Sequence, residues 1–375
     1  MPPMTPAARI TCEIDKSLSA QALSVLGALR FELAQFHPRR VLALSERSAL
    51  PFLPPTTRLD EDPVEVFEVY LPRAQARGTL LAWARALGLF TAGRGSIYAE
   101  EVEILNPPGI DFCAARLAEP DATLQPGERL SPLTLINCVV QRDYGNGVAR
   151  RAIEAGSNVP SINFGVGTGV RDRLGLLRIA IPAEKEIISL LVDPHDGPAT
   201  LDTFIDAGRL DLPGRGFVGA YPVSFGVANP KSFRGRQRHS ATMDQLIAAI
   251  DELKAGTGWR QRSGAADHAP RRQRRWLTHL VNVTLNCNEG SAERLVATAM
   301  GAGAGGATIT KTKLFSPSGA EFAASPAREV VDLGIGPDKL DRLIDALRDD
   351  GAFEAETACF IETKPLPTAY TYVAA

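Results

Sequence analysis

The sequence has almost no excess of charge of either sign, few cysteines and no long apolar run, and each shortage excludes a class of protein. Lys and Arg number 41 against 43 Asp and Glu, a formal charge of −2. A chain that binds nucleic acid normally carries a strong basic excess, so direct nucleic-acid binding is not expected. The start, MPPMTPAARITCEI, lacks the apolar core of a signal peptide, and no later stretch approaches the roughly 18 to 20 uncharged apolar residues of a membrane span. We expect a cytoplasmic protein with no membrane insertion. Five cysteines, Cys12, Cys113, Cys138, Cys287 and Cys359, lie far apart with no C-x-x-C pair. Cys12, Cys138 and Cys359 sit in apolar strand-like segments, so they read as buried thiols and not as zinc ligands or disulfides. Catalytic patterns are missing too: there is no G-K-[ST] loop, no G-x-S-x-G elbow, no H-x-x-x-H and no cysteine and histidine cluster. The five histidines, His37, His195, His239, His268 and His279, fall mostly in linkers or loop ends. No catalytic residue and no metal site is expected.

What the chain does contain is material for a large core. Its 375 residues, 45% hydrophobic and 22% charged, suffice for two or three domains. Periodicity places a strand in LTLINCVV (133–140), a short helix in VARRAIEAG (148–156) and a strand in SINF (161–164). After a loop come the apolar strand EIISLLV (186–192), a helix in LDTFIDAG with Leu201, Phe204 and Ile205 on one face, and the strand GFVGAYPV (216–223). That order, βαββαβ, is the ferredoxin-like unit.

The order recurs downstream. A strand at 279–285 is followed by a helix with Ala292, Leu295, Val296 and Ala299 in register, then ATIT, then SPAREVVDLGI echoing IPAEKEIISLLV. A second helix aligns Leu340, Leu343, Ile344 and Leu347, with Pro337 near its start, Gly351 at its end, and LDRLIDAL echoing LDTFIDAG. A more diverged copy leads the chain: RITCEI, a helix with Ala22, Val25, Leu26, Leu29 and Leu33, the strands VLAL and VEVFEVYL, a helix with Leu80, Trp83, Ala84 and Leu87, and SIYAEEVEIL. Its AGRGSIYAEEV parallels PGRGFVGAYPV. The expected fold class is therefore α+β, three ferredoxin-like (βαββαβ) repeats joined by linkers. The first linker is Pro-rich and should wrap the surface. The second holds an amphipathic helix, SATMDQLIAAIDELKAG, whose apolar face should dock on the chain's own sheets, and a basic run, RRQRRW, read as solvated.

The stretch FGVGTGVRDRLGLLRIAIPAEKEI, from Phe164 to Ile187, superficially fits a dinucleotide fingerprint, since Glu186 stands about 20 residues beyond Gly165. In that fingerprint the glycines open a helix whose amides hold the pyrophosphate, whereas Gly175 and Pro182 interrupt this segment. The reading fails.

The segments AIEAGSNVPSINFGVGTG, LGLLRIAIPAEKEIISLLV and AGRLDLPGRGFVGAYPV resemble the PII signalling family, more closely its PII-like branch of nitrogen-regulatory proteins. The likeness covers almost all of the middle copy; the outer copies share its pattern with fragments of motif. It implies domains at 1–110 (a diverged PII-like repeat), 111–131 (linker), 132–228 (a PII-like repeat with T-loop and B-loop), 229–275 (linker) and 276–375 (a degenerate repeat). Members are homotrimers that bind adenine nucleotides between neighbouring subunits and dock a long T-loop on a partner. Three copies in one chain suggest a monomer folding as an intramolecular pseudo-trimer.

By resemblance, Gly165 to Ile181 is the T-loop and LDLPGRGF the phosphate-holding B-loop. The nucleotide-binding candidates are Gly165, Gly167, Thr168, Arg178, Lys185, Gly214, Arg215 and Gly216, with Gly93, Arg94 and Gly95 as their counterparts in the first copy. Gly214 and Gly216 let amides approach phosphate, and Arg215 adds charge-assisted bonds. Arg171, Asp172 and Arg173 are the partner-contacting candidates. Glu184 and Glu186 read as a polar start to a buried strand or as ligand contacts. The third copy reads GAFEAETACF where its B-loop belongs, and Glu354 and Glu356 would repel phosphate. The expected ligand is ATP, ADP or AMP, with magnesium only as a companion of ATP, at one or two sites per chain. The expected partner is a regulated protein, such as a membrane transporter or metabolic enzyme. The T-loop has no tyrosine and the B-loop lacks the acid and lysine of the main PII branch, so tyrosine uridylylation and 2-oxoglutarate sensing are not expected. Two alternatives stand beside this reading: an assembly protein with decayed ligand sites, and a weak nucleotide hydrolase.

Overall fold

The structure, a computed structural model, describes residues 4–47, 56–111, 113, 120–168, 183–229, 250, 253, 274–317, 319 and 324–373. Residues 169–181 of the expected T-loop, most of the amphipathic linker helix and the first half of the basic run (271–273) lie outside them. The described strands are β1 (Thr5–Asp15), β2 (Ala34–Arg47), β3 (Thr56–Leu71), β4 (Gly95–Leu105), β5 (Ser131–Gln141), β6 (Ser161–Thr168), β7 (Glu184–Val192), β8 (Gly216–Val227), β9 (Leu277–Asn288), β10 (Ala307–Phe315), β11 (Ala327–Ile335) and β12 (Phe360–Thr371). The helices among them are α1 (Ser19–Ala28), α2 (Ala76–Leu87), α3 (Gly145–Glu154), α4 (Gly197–Gly208), α5 (Ala292–Ala302) and α6 (Leu340–Asp349). None is long and apolar enough to cross a membrane.

Local sequence explains the elements. On α2, Leu80, Trp83, Ala84 and Leu87 recur at i, i+3, i+4 and i+7 and are all fully buried. The helix stops at Gly88, which takes the left-handed conformation (φ 67°) that closes the last turn. On β1, alternate residues Ile10, Cys12 and Ile14 pack with α1 and α2, while Arg9 and Thr11 point to the opposite face.

The expectation of three separate ferredoxin-like repeats, docked as a pseudo-trimer, is corrected here. The strands join in a single twelve-stranded antiparallel sheet, in the order β1-β3-β2-β10-β11-β9-β12-β4-β8-β5-β7-β6, with further pairings β1–β4, β2–β6, β10–β6 and β12–β8 that close it into a barrel. Strands distant in sequence are hydrogen-bonded: Ile97 pairs with Val227, Ile361 with Leu105, Thr368 with Ala220, Arg40 with Ile162 and Ile309 with Val166. The physical reason is the edge problem. A four-stranded unit would leave bare N–H and C=O rows on both flanks, and pairing β4, β8 and β12 with one another, and β2, β6 and β10 with one another, satisfies those rows. No part of the sheet keeps edges of its own that would define a subunit.

Helices cover the outer face in three apolar clusters, one around α1 and α2, one around α3 and α4, and one around α5 and α6. The first linker runs over α2: Arg85 holds Glu128 through two hydrogen bonds of 2.8 Å, and a methyl group at Gly78 would overlap the Pro120 carbonyl. Arg274, at the end of the second linker, ties to Asp202 and Asp206 on α4.

Gly95 opens β4 at φ 142°, and a methyl group there would collide with the Glu13 carbonyl of β1. Gly95→Ala should therefore lower stability by about 2 kcal/mol or more. Urea unfolding checks this, and an unchanged midpoint would remove the close-approach role.

Candidate functional site

The barrel encloses a cavity of about 370 Å³ whose wall is drawn from strands across the whole chain. Part of this wall comes from β6, β7, β8 and β12. There the wall is formed by Gly167 and Thr168 at the end of β6, Lys185 on β7, Gly214 and Gly216 before and at the start of β8, and Thr371 and Tyr372 at the end of β12. These include five of the residues that the sequence assigned to nucleotide binding.

Each is placed for a reason. Gly216 has φ 148°, and a side chain there would strike the Val139 carbonyl of β5. Its own carbonyl accepts a 2.7 Å hydrogen bond from the Thr371 hydroxyl, which pins β12 to the rim. Gly214 (φ 68°) turns the chain, and its carbonyl accepts from Gln141 Nε2 at 3.3 Å. Lys185 is buried, and its side chain runs across Gly167, where a Cβ would lie 2.7 Å from Lys185 Cε.

Other expected residues lie elsewhere or have other tasks. Gly165 and Gly167 belong to β6 and not to a flexible loop base. They pair with β7 (Gly165 with Lys185), and β10 lies alongside (Gly167 with Thr308). A Cβ at Gly165 would sit 2.9 Å from the Ile309 carbonyl, so glycine permits the close approach of β10. Arg215 stands at the rim, donating to Gln141 Oε1 at 3.1 Å and to the Tyr144 hydroxyl at 2.9 Å, with its guanidinium 5.2 Å from the Tyr144 ring centre. Arg171, Asp172, Arg173 and Arg178 lie outside the described residues. The charged triplet divides: Glu184 pairs with Arg142 in solvent, whereas Glu186 accepts from the Gly145 amide at the start of α3 and from Arg40, each at 2.7 Å. Glu329 does the same for α5, accepting from the Gly290 and Ala292 amides at 3.0 Å. Glu186 is a helix-capping residue, favoured by the positive end of the helix.

At the corresponding positions of the other two copies the groups bond within the protein. In the first Gly-Arg-Gly, the Gly93 amide donates to Asn229 Oδ1 at 3.0 Å and Arg94 Nε to the Leu87 carbonyl at 2.9 Å. On β11, Arg328 pairs with the final residue of β9, as Lys185 pairs with the final residue of β5. Arg328 is 1% exposed, and its nitrogens donate at 2.7 Å to Asn286 Oδ1 and to the Asn286 and Ala358 carbonyls.

A buried charged cluster, which reaches the cavity wall through Arg9, Tyr70 and Lys364, was missed by sequence reading. Arg9 bridges Glu100 and Glu362, Lys364 Nζ donates to Glu100 at 2.7 Å, and the Tyr70 hydroxyl donates to Glu362 at 2.7 Å. Burial alone would raise the Glu100 carboxyl, but Arg9 and Lys364 outweigh it and bring it down to about 2. Burial dominates at Glu362 and raises it, with Arg9 and Lys364 offsetting only part. His37 is buried on β2; burial, then Arg39 and Arg9, push it well below 6.5. Neutral, its Nε2 accepts from Arg39 Nε at 3.0 Å. The available signal was alternation: Arg9, Thr11 and Glu13 in RITCEI, and Glu362 and Lys364 in FIETKPL, stand at every second position and so share one face of their strand, which closure of the barrel buries. Among the described residues no group of three or more His, Cys, Asp or Glu could hold a metal ion.

No protein-family model and no curated protein matches the chain. Among solved structures it is similar to GlnK from B. subtilis in complex with ATP, at 11% identity over 27% of this chain and 89% of that one, TM-score 0.23. A second structure of B. subtilis GlnK gives 10% identity over 28% and 90%, TM-score 0.22. Overlap of that extent assigns neither a family nor a ligand to this chain.

The interior predicts an acid-sensitive fold. The folded pKa of His37 lies below its ordinary 6.5, so only the unfolded chain takes up that proton and stability falls as the pH drops below 6.5. The stabilising contribution of Glu100 is present above 4.5 and is lost as the pH falls from 4.5 towards 2, whereas Glu362, being raised, opposes part of that loss. Thermal unfolding across this range should show both limbs, and His37→Gln should remove the upper one; a flat profile above pH 4.5 in the parent protein contradicts the assignment.

Proposed function

We propose that the chain is a PII-like regulator that binds an adenine nucleotide at the rim of the inner cavity and passes its state to a partner protein. One observation carries this reading: Gly167, Thr168, Lys185, Gly214 and Gly216, which the family resemblance assigns to nucleotide binding, line one cavity. The volume falls in the range of small-molecule sites, roughly 300 to 1,000 Å³.

The chemistry is that of binding. The Lys185 ammonium is a compact positive charge beside the glycines, where the lack of side chains lets phosphate oxygens approach the backbone. Arg215 at the rim can exchange its bonds to Gln141 and Tyr144 for a phosphate oxygen. Gly216 and Thr371 couple the rim to β12, so an occupied rim bears on two distant parts of the chain. Magnesium would accompany ATP on the nucleotide's own oxygens. The T-loop assigned by resemblance, Gly165 to Ile181, would carry the contact with a partner such as a transporter or metabolic enzyme. One site per chain is expected.

A thermal-shift panel of ATP, ADP and AMP tests the reading. A ligand at a hundred times its dissociation constant should stabilise the fold by about 2.7 kcal/mol. Lys185→Ala should weaken binding by roughly tenfold or more, the scale of a lost charged hydrogen bond. A flat response to all three nucleotides rejects the nucleotide site and favours an assembly protein with decayed sites. Calorimetry giving three equivalent sites rejects the single open rim.

A further inference from the structure

The charged side chains that line the cavity are Arg9, Arg39, Lys185, Lys364, Glu68 and Asp332. Arg9 and Lys364 pair with Glu100 and Glu362, Arg39 stands 3.6 Å from Glu13, and Glu68 lies in the field of Arg9. Asp332 differs from these acids. It is exposed, although it stands in the middle of β11 and lines the wall, so a guest in the cavity can reach it. It forms no ion pair with a described residue. Its Oδ1 accepts from the buried Thr284 hydroxyl at 2.7 Å and from the buried Asn282 amide at 3.4 Å, whereas its Oδ2 accepts from no described residue. A carboxylate oxygen has two lone pairs and donates nothing, so Oδ2 selects for a donor.

Strand register fixes where that carboxylate stands. Gly167 on β6 lies opposite Thr308 on β10, Thr308 opposite Asp332 on β11, and Asp332 opposite Thr284 on β9. All four line the cavity, so they form one row across its wall. Neighbouring strands are about 4.8 Å apart, which puts Asp332 two strands, or about 10 Å, from Gly167. Lys185 reaches the same row, since its side chain runs across Gly167. The row therefore passes from a lysine, over a bare glycine and a threonine hydroxyl, to a carboxylate held in place by Thr284 and Asn282.

A guest that spans this row carries an anionic group at the lysine end and O–H or N–H donors at the other. A phosphate at the Asp332 end would be repelled. In a nucleotide the group that follows the phosphates is the ribose, whose vicinal 2′ and 3′ hydroxyls are two donors side by side, matching the two lone pairs of Oδ2.

We propose that Asp332 is a specificity-determining residue of the nucleotide site, accepting hydrogen bonds from the ribose hydroxyls and so selecting ribonucleotides over their deoxy forms. This rests on the nucleotide reading above.

Calorimetric titration of the full chain with ATP, 2′,3′-dideoxy-ATP, ITP and inorganic tripolyphosphate, on the parent protein and on Asp332→Ala, tests it. The parent should bind ATP about tenfold or more tightly than dideoxy-ATP, the scale of hydrogen bonds to a charged group. Asp332→Ala should lose most of that preference while binding tripolyphosphate as tightly as the parent or more so, since a negative charge has gone from the row. Equal affinity of the parent for ATP and dideoxy-ATP overturns the proposal whatever the variant does. A variant that weakens ATP and dideoxy-ATP together, leaving their ratio unchanged, shows that Asp332 only braces Thr284 and Asn282, and overturns it too. So does a preference of the parent for ATP over ITP that vanishes in Asp332→Ala while dideoxy-ATP binds like ATP, which would put the base edge at the carboxylate. Should the alanine variant fail to fold, Asp332→Asn keeps the shape and should cut the ribose preference severalfold; an unchanged preference there overturns the proposal. Absence of binding by both ATP and tripolyphosphate overturns the nucleotide reading itself, an outcome distinct from binding without discrimination.

Discussion

Closure of the sheet on itself is the constraint from which the rest of this molecule follows. At two places three strands from remote parts of the chain pair with one another, β2 with β6 and β10, and β4 with β8 and β12. Each would otherwise present an unpaired row of backbone groups. Once the rows are joined, one face of every strand turns inward, and what lies on that face must share a single enclosed space. The outward face is apolar and takes the helices.

The enclosed face carries buried charges beside its apolar side chains. Arg9, Glu100, Glu362 and Lys364 form a buried cluster in which each charge has an opposite partner. Removing charges from water costs several kcal/mol per ion unless partners and hydrogen bonds compensate, so such a cluster is weak evidence for stability as such. What it achieves is an interior that does not collapse into an oily plug. The space left beside it is wide enough for a small molecule and reaches the rim where Lys185, Gly214 and Gly216 converge.

Sequence reading was strongest where one element's pattern is set by its immediate neighbours. The apolar stripes of α2 and α6 were plain from spacing, because each helix buries one face on the sheet beside it. It was weakest where a partner more than a hundred residues away decides the structure. Gly165 and Gly167 read as a flexible loop base, yet they are strand residues whose small size admits the backbone of β10 and the side chain of Lys185. β12, with Pro365 and Pro367 inside it, reads poorly as a strand; β9 on one side and β4 and β8 on the other hold it in the sheet. Lys185 and the second Gly-Arg-Gly were legible as motif, as was the one at Gly93 to Gly95, where the Gly93 amide donates to Asn229 Oδ1. The inner chamber was invisible, since its residues come from strands throughout the chain.

The ion cluster also limits how such a protein can drift. Arg9 and Glu362 are 353 positions apart, and Lys364 and Glu100 are 264 apart, yet loss of one member strands a charge in the barrel. These four positions form a single inherited unit spread over nearly the whole chain. A lineage can replace the set with another balanced set, or with uncharged residues, only by coordinated change at both extremes of its sequence, so positions 9, 100, 362 and 364 should vary together among descendants of a common ancestor while the helices outside vary independently.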